Sequence, residues 1–177
     1  MTIPPDPRAI RRSALALAVA APLAALALAR GPAAAEGALP PQILPITARW
    51  CLPAQAGTSG PCIALERPRG ERQYAMGLQR RPALPPLRGM WFAYDPPALA
   101  RFWMHQTPEP LDMLFVAQGR VVALVEAAPP CPRLPCRSYG PDQPVEGVLE
   151  LAAGEARRLG IAVGMPVRIE PLSEPGR

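Results

Sequence analysis

Two apolar runs joined by a short polar pair constrain the fold of this chain more than any other feature. Residues 111–116 (LDMLFV) and 121–125 (VVALV) are apolar at nearly every position, and Gln118-Gly119 lies between them. Apolar runs without alternation are typical of strands buried on both faces, and a Gly-containing pair between two strands favours a tight hairpin turn. The sequence therefore predicts a β-hairpin whose two strands both lie in the core.

The rest of the chain shows the alternating apolar pattern of β-strands, interrupted by two short helical segments. No similarity recurs at a period of about 20–50 residues, which excludes repeat architectures. Many short strands with two small helices predict a mainly β domain, either a compact barrel or a sandwich. We predict further strands at 46–52, 62–66, 90–94, 101–106, 145–151 and 167–171, a break at 95–97, a long loop at 128–144, and helices at 71–78 and 154–159.

The first 35 residues have the three regions of a secretory signal peptide. Three arginines precede an apolar run over residues 13–29, and Ala33-Ala34-Ala35 offers a cleavage site. The alternative is a retained membrane anchor, but the run is short, rich in alanine and interrupted by Pro22. We expect an exported protein, periplasmic or extracellular, that contacts the membrane only if this segment stays uncleaved.

The charge balance of the exported part gives no sign of a nucleic-acid partner. The whole chain carries a formal charge of +5, but four of its 19 arginines and one of its 14 acids lie in residues 1–35. The remainder has 15 arginines against 13 acids, a net charge of +2. A nucleic-acid interface needs basic residues clustered on one face, so we expect none.

All four cysteines lie beyond the signal peptide, at Cys51, Cys62, Cys131 and Cys136. An even number of cysteines in an oxidising compartment predicts disulfides, and we expect Cys51 to pair with Cys62 and Cys131 with Cys136. A four-cysteine zinc site is the alternative, but ten and four intervening residues fit poorly with the C-x2-C spacing of such sites.

The segment from Gly89 to Phe115 holds six of the nine aromatic residues and the single histidine, His105. If residues 101–106 form a strand, alternate side chains share a face, so Trp103, His105 and Thr107 would lie together. Beside a cleft they would form a platform for a sugar ring or an aromatic ligand. The alternative, which we favour, is that Trp103 packs in the core with His105 at its rim.

Two carboxyl groups interrupt apolar strands, Asp112 in the first apolar run and Glu150 in the predicted strand 145–151. A buried carboxylate must be paired or protonated. In a functional interpretation Asp112 is a general base or a ligand anchor beside His105. Hydrolysis of a glycosidic bond would require Asp112 and Glu150 to face each other across a cleft.

The structural interpretation of Asp112, which we favour, is a buried ion pair with Arg81 or Arg88, or hydrogen bonds from backbone donors near Thr107. Buried ionic networks perturb carboxyl groups without any chemistry being performed. Glu150 admits the same two interpretations.

Sequence motifs for other chemistries are lacking. The chain contains no G-x-S-x-G nucleophile motif and no glycine-rich phosphate-binding loop. A single histidine disfavours a histidine-based metal site. We therefore predict no catalytic residue, no metal ligand and no cofactor.

Several ordered motifs resemble those of the domain of unknown function 192 family, uncharacterised proteins of bacteria and archaea. The motifs are G-M-x-F from Gly89, F-W-M-x-x-T from Phe102, P-L-D from Pro110 and V-L-E from Val148, followed by A-G and R-x-G-I. An upstream G-L-M-x-R is matched in part by Gly77-Leu78 and Arg81. The resemblance implies a mainly β fold, similar to a small barrel or jelly-roll-like sandwich, and it supplies no reaction.

The chain departs from the family pattern at two places. His105-Gln106 stands where Lys-Asn is usual, and Gly164-Met165 where Gly-Asp is usual. A family function carried by the Lys-Asn pair would be altered here. We divide the chain into the signal peptide 1–35, a lead-in with the first strands 36–63, the domain that carries the resemblance 64–171, and a tail 172–177.

These observations predict an exported β domain that binds a small ligand or an envelope component without catalysing a reaction. The candidate ligand-binding residues are Trp103, His105, Thr107, Asp112 and Arg81. One alternative is a hydrolase of envelope polymers that uses Asp112 with Glu150 or His105. The other is a structural accessory protein without a ligand site.

Overall fold

The computed structural model describes residues 40–54 and 60–173 of the 177-residue chain. The predicted signal peptide, the first residues of the lead-in and the last four residues of the tail lie outside these described residues. Neither of the two described ranges contains a helix with the length and apolar character needed to cross a membrane.

The described residues form nine strands and two short helices, so the predicted mainly β fold is confirmed. In chain order the elements are β1 (Ile46–Cys51), β2 (Cys62–Glu66), α1 (Gly70–Met76), β3 (Arg88–Ala98), β4 (Phe102–Trp103), β5 (Leu111–Ala117), β6 (Arg120–Ala128), β7 (Ser138–Tyr139), β8 (Val145–Ala152), α2 (Glu155–Arg158) and β9 (Ile169–Pro171).

Seven of these strands form one mixed sheet in the order β6-β5-β8-β3-β2-β1-β9, and β4 pairs separately with β7. Neighbouring strands are antiparallel except β2 and β3, which are parallel. Among the described strands no pair joins β6 to β9, so the sheet is open. The predicted barrel is therefore wrong, and the sandwich-like alternative is the observed form.

Two hydrophobic cores lie on opposite faces of this sheet. One core contains Trp50, Trp91, Leu114 and Leu151 and is completed by residues around α2 and β9. The other contains Met90, Phe92, Met113, Phe115 and Val148 and is completed by residues from α1, β4 and β7. Because side chains alternate along a strand, a strand in the middle of the sheet supplies both cores. This double burial explains the apolar runs in β5 and β8.

The predicted hairpin is confirmed between β5 and β6. Gln118 and Gly119 have φ angles of 50° and 65°, the positive values that a type I′ turn requires at both central positions. Strand β5 is buried on both faces, as predicted. Strand β6 is only partly buried because it is the edge of the sheet, so the prediction of full burial is wrong for β6.

Two other strand predictions differ from the structure. Strand β3 continues through the predicted break at 95–97, although its pairing with β8 is interrupted between Ala93 and Ala98. The predicted strand 101–106 is reduced to the two residues of β4, because Gln106 has a φ of 55° and turns the chain out of the extended conformation.

Both predicted disulfides form. Cys51 and Cys62 face each other on β1 and β2, and their bond joins these two strands. Cys131 and Cys136 close a short loop between β6 and β7, with their Cα atoms 5.8 Å apart. In the chain-entropy model each cross-link stabilises the fold by about 2 to 3 kcal/mol.

Candidate functional site

The most distinctive polar group in the fold is the carboxyl group of Glu150, at the base of a small cavity. We call this space the Glu150 cavity. Its volume is about 40 Å³, enough for a group the size of a few water molecules. The residues that line it come from α1 and the turn after it, from β3, β4 and β8, and from the loop before β5. They are Tyr74, Ala75, Met76, Gly77, Leu78, Gln79, Phe92, Phe102, Trp103, Thr107 and Glu150.

Glu150 lies in β8, between β5 and β3, and its partner on each of these two strands is apolar. It is opposite Met90 of β3 and opposite Met113 of β5, and both methionines are fully buried. The residue itself is 4% exposed. None of the hydrogen bonds or ion pairs among the described residues involves its carboxyl group. Burial raises the pKa of Glu150 from 4.5 to about 8, so the group is mostly protonated at neutral pH.

The end of helix α1 forms one wall of the Glu150 cavity. Gly77 ends the helix with a φ of 47°, a conformation that favours glycine. A Cβ atom at this position would lie 3.4 Å from the ring of Phe92. Gln42 holds the turn, because its Nε2 donates to the carbonyl oxygens of Gln73 and Gly77 at 2.8 and 3.0 Å.

Aromatic rings form most of the remaining wall. Phe92 makes edge-to-face contacts with Tyr74 and Phe102, with ring centroids 5.7 and 4.9 Å apart. The Tyr74 hydroxyl donates to the carbonyl oxygen of Ala93 at 2.5 Å, which holds its ring in place. Burial also raises the pKa of Tyr94 to about 12, with smaller contributions from Tyr74 and Glu150. The aromatic residues singled out in the sequence therefore serve both the core and the cavity.

Trp103 lies at the mouth of the cavity and is 49% exposed. Its ring centroid is 5.4 Å from that of His105. The predicted burial of Trp103 in the core is therefore wrong, whereas the predicted proximity of Trp103 and His105 is observed. Thr107 is buried rather than aligned with them, because the positive φ of Gln106 breaks the alternation. Of these residues, Trp103 and Thr107 line the Glu150 cavity, and His105 does not.

A disulfide-bonded loop holds the segment that carries these residues. The backbone N–H of Cys131 donates to the carbonyl oxygen of Met104 at 3.1 Å, and that of Gln106 donates to Cys131 at 3.1 Å. His105 and Cys131 form an isolated parallel bridge. The Cys131–Cys136 disulfide thus anchors residues 104–106 between Trp103 and Thr107.

Asp112 has a structural environment away from the Glu150 cavity. It is fully buried, and its Oδ1 accepts from the N–H of Ala127 at 2.8 Å, while its Oδ2 accepts from the N–H of Ala156 at 2.9 Å. Ala127 lies in a bulge of β6 with a φ of 47°, and Ala156 lies in the first turn of α2. Asp112 therefore caps the N-terminal end of α2 and accepts the hydrogen bond of a backbone N–H in the β6 bulge. Its predicted partners Arg81 and Arg88 are wrong, and the backbone donors are not those near Thr107.

Arg81 pairs with Glu66, a partner that was not predicted from the sequence. Its guanidinium donates to both oxygens of Glu66, at 2.7 and 2.9 Å, and both side chains are buried. Glu66 Oε2 also accepts from the N–H of Leu44 at 2.9 Å. The cavity next to Arg81 has a volume of only about 10 Å³, room for about one water molecule. The structure therefore places Arg81 in a buried ion pair rather than at a ligand site.

A wider surface groove lies next to the Glu150 cavity, with Thr107 common to both. Its volume is about 460 Å³. The other residues that line it are Arg80, Gln106, Pro108, Pro130 and Pro132. In residues 40–54 and 60–173 no group of three or more His, Cys, Asp or Glu side chains is arranged to hold a metal ion.

Comparison with known families accounts for the ordered motifs. The model of the domain of unknown function 192 family (DUF192, "Uncharacterized ACR") matches residues 54–169. The chain belongs to the DUF192 family. None of the curated proteins is similar enough to match it.

Two solved structures are similar to this DUF192 protein. One, from Sinorhizobium meliloti 1021, is described as a "putative transcription regulator"; it is 30% identical, with a TM-score of 0.62 over 73% of this chain and 97% of that one. The other is a protein of unknown function from Novosphingobium aromaticivorans DSM 12444. It is also 30% identical, with a TM-score of 0.60 over 78% of this chain and 99% of that one.

The structure gives physical roles to several DUF192 motifs in this chain. The aspartate of P-L-D, Asp112, caps the helix that lies between the A-G and R-x-G-I motifs. The glutamate of V-L-E, Glu150, lies at the base of the cavity. Gln106 stands where the motif usually has Asn, at a positive φ of 55°, a conformation that Asn adopts readily. This departure therefore concerns the backbone turn, and no described ion pair involves His105 beside it.

Proposed function

We propose that this DUF192 protein binds a small ligand, or a small group on an envelope component, in the Glu150 cavity without catalysing a reaction. The observation that carries the proposal is Glu150 itself, a nearly fully buried carboxyl group with no hydrogen-bond donor among the described residues. The carboxyl group opens onto the cavity, because Thr47 Oγ1 is the one sealed side-chain N or O atom without a hydrogen-bond partner among the described residues. A ligand in the cavity can therefore bond to Glu150 without displacing a donor of the protein.

Binding is favoured over hydrolysis by the arrangement of the carboxyl groups. Hydrolysis of a glycosidic bond uses two carboxyl groups on either side of the scissile bond. Asp112 is opposite Leu151 in the sheet, whereas Glu150 is opposite Met113, so their side chains point to opposite faces. The two groups do not converge on one cleft, and the backbone donors of Ala127 and Ala156 already occupy Asp112.

The location that we propose for this function is the periplasm or the extracellular space. Support comes from the two disulfides, which form and persist in oxidising compartments. The signal-peptide pattern of residues 1–35 agrees with this assignment.

A small ligand is favoured over nucleic acid, although one similar protein is described as a "putative transcription regulator". Nucleic-acid binding requires basic side chains that are available to phosphates. Three exposed arginines are instead engaged by acids on neighbouring segments, in the pairs Arg49–Glu170, Arg101–Asp142 and Arg157–Glu126. The net charge of +2 outside the predicted signal peptide adds little attraction.

A ligand screen tests the proposal. Wild-type protein would be screened by ligand-observed NMR against glycan fragments, short peptides, amines and aromatic acids, and each hit would be repeated with Trp103→Ala. We expect Trp103→Ala to weaken hits by about tenfold, because an aromatic contact at the mouth is lost.

Leu99→Ala is the matched control, since Leu99 is also exposed, at 62%, and does not line the cavity. Hits that survive Leu99→Ala but not Trp103→Ala would support the assignment. A screen without hits would overturn the proposal in favour of a structural accessory role. Hits that neither variant affects would overturn it too, because they would bind outside the Glu150 cavity.

A further inference from the structure

The walls of the Glu150 cavity are complementary to a particular class of ligand group. Glu150 is the only ionisable carboxyl group among the described residues that line the cavity, and none of those residues is an arginine or a histidine. An anionic ligand would therefore meet a carboxyl group without any compensating cation. A cationic ligand would meet a carboxyl group that has no other partner.

The other lining groups are compatible with positive charge. Phe92, Phe102 and Trp103 line the cavity, and an ammonium group that lies over the face of one of these rings is attracted by cation–π interactions. The last turn of α1, from Tyr74 to Gly77, forms a further wall. Carbonyl oxygens at the end of a helix carry partial negative charge, an effect that is small for a helix of seven residues.

The size of the cavity limits the group that can reach Glu150. A volume of about 40 Å³ admits an ammonium or methylammonium group, which is close to a few water molecules in size. It excludes a whole sugar ring or an indole. The remainder of a larger ligand would lie outside, against Trp103 or along the groove that shares Thr107.

We infer that the ligand presents a primary ammonium group on a slender chain, and that this group forms an ion pair with the carboxylate of Glu150. This inference rests on the proposed function, because it names the chemistry of the same cavity. On binding, the O–H bond of the Glu150 carboxyl group breaks and its proton goes to solvent, while the ammonium keeps its three N–H bonds. No covalent bond to the ligand forms.

The proton that is released on binding comes from Glu150 rather than from the tyrosines near it. Burial is the main cause of the raised pKa of Tyr94 of β3, and Tyr74 of α1 and Glu150 add to it. Burial raises the pKa of Tyr94 to about 12, so it stays neutral across the range in which Glu150 titrates. The Tyr74 hydroxyl is already engaged as a donor to Ala93.

The test follows the carboxyl carbon of Glu150 by carbon-13 NMR while the pH is varied. Propylamine is the probe, and propan-1-ol is its neutral match in shape. Because ligand binding and proton release are linked, saturating propylamine should lower the titration midpoint of Glu150 by about one pH unit or more. Propan-1-ol should leave the midpoint in place or raise it. A midpoint that propylamine leaves unchanged or raises would overturn the inference.

Two variants distinguish an ion pair with Glu150 from binding that does not depend on charge. Glu150→Gln should weaken propylamine binding by about tenfold and leave propan-1-ol nearly unaffected, because charge-assisted hydrogen bonds are about twice as strong as neutral ones. Glu71→Gln, the same substitution at an exposed site of α1, should leave both unchanged. The thermal midpoint of each variant confirms that it is folded.

Two further probes distinguish the possible sources of the ammonium group. Nα-acetyl-lysine methylamide represents a lysine side chain of a peptide, and glucosamine represents an amino sugar. The slender lysine side chain is expected to bind more tightly than glucosamine, whose amine lies directly on the ring. If neutral hits from the broader screen bind in the cavity while no amine does, the proposed function stands and the ammonium inference fails. If nothing binds in the cavity, both fail.

Discussion

Asp112 and Glu150 lie on adjacent strands and point to opposite faces of the sheet. The register of β5 and β8 places Asp112 opposite Leu151 and Glu150 opposite Met113. The two carboxyl groups therefore enter different cores, one beside α2 and the other beside α1 and β4. Asp112 has two backbone donors, whereas Glu150 has none among the described residues. One carboxyl group is hydrogen-bonded within the fold, and the other opens onto the cavity.

Replacing Asp112 should destabilise the protein without changing the Glu150 cavity. Asp112→Ala removes both hydrogen bonds and leaves the N–H groups of Ala127 and Ala156 without their acceptor, so we expect a loss of about 2–4 kcal/mol in the free energy of unfolding. Urea denaturation measures this loss. Asp142→Ala is the control, because the side chain of Asp142 is almost fully exposed. This variant should change the free energy of unfolding by less than about 1 kcal/mol. An Asp112→Ala protein as stable as wild type would contradict the capping role.

Glu150 should make the protein less stable as the pH rises. Its pKa is about 8 in the folded state against 4.5 ordinarily, so the folded state binds the proton more tightly than the unfolded state. The stabilisation is complete below about pH 4.5 and is lost as the pH rises through about 8, at roughly 1.4 kcal/mol per pH unit in between.

The comparison of wild type with Glu150→Gln isolates this effect, since contributions from other groups cancel. Urea denaturation near pH 5 and near pH 8 should show wild type losing roughly 3–4 kcal/mol more than Glu150→Gln. Equal losses in the two proteins would show that Glu150 has an ordinary pKa in the folded state.

The buried pair of Arg81 and Glu66 should be costly to break from one side. Arg81→Met leaves Glu66 buried with only the N–H of Leu44 as a donor, and we expect a loss of about 3–5 kcal/mol. Adding Glu66→Gln should restore part of this loss, because the uncompensated charge is removed. Thermal and urea unfolding of both single variants and the double variant measure the coupling. For comparison, Arg49→Met breaks an exposed pair and should cost at most about 1 kcal/mol.

Removing the second disulfide should affect the cavity as well as stability. The double variant Cys131→Ala, Cys136→Ala is expected to lose about 2 kcal/mol, as the chain-entropy model gives for a short loop. Ligands of the Glu150 cavity should also bind more weakly, because residues 104–106 lose their anchor. Amide hydrogen exchange should speed up first at the backbone N–H of position 131 and at that of Gln106. Unchanged exchange at these two amides would show that the disulfide does not hold this segment.

Local patterns in the sequence were sufficient for much of the fold. The apolar runs and the Gln118-Gly119 pair predicted the β5–β6 hairpin, and alternation predicted β2 with its observed bounds. The even number of cysteines, with their spacing, predicted both disulfides. These features depend on neighbours along the chain, which a single sequence contains.

The site was harder to predict because it depends on contacts between distant segments. Whether Asp112 and Glu150 face each other is decided by the register of β5 against β8, and the sequence of neither strand contains that register. The partner of Arg81, Glu66, lies in a different strand. The alternation of Trp103, His105 and Thr107 fails at Gln106, where one positive φ reverses the direction of the next side chain. Whether the sheet closes likewise depends on pairing between its two end strands, β6 and β9, which are distant in the sequence.

We propose that the fold keeps Glu150 buried and without a donor of the protein, and that a ligand uses this carboxyl group. Carbon-13 NMR titration of the Glu150 carboxyl group in the ligand-free protein, assigned by comparison with Glu150→Gln, shows directly whether the group is in this state. The structure predicts a midpoint near pH 8. A midpoint near 4.5 would show that the carboxylate already has a partner or open access to water, and it would contradict the claim.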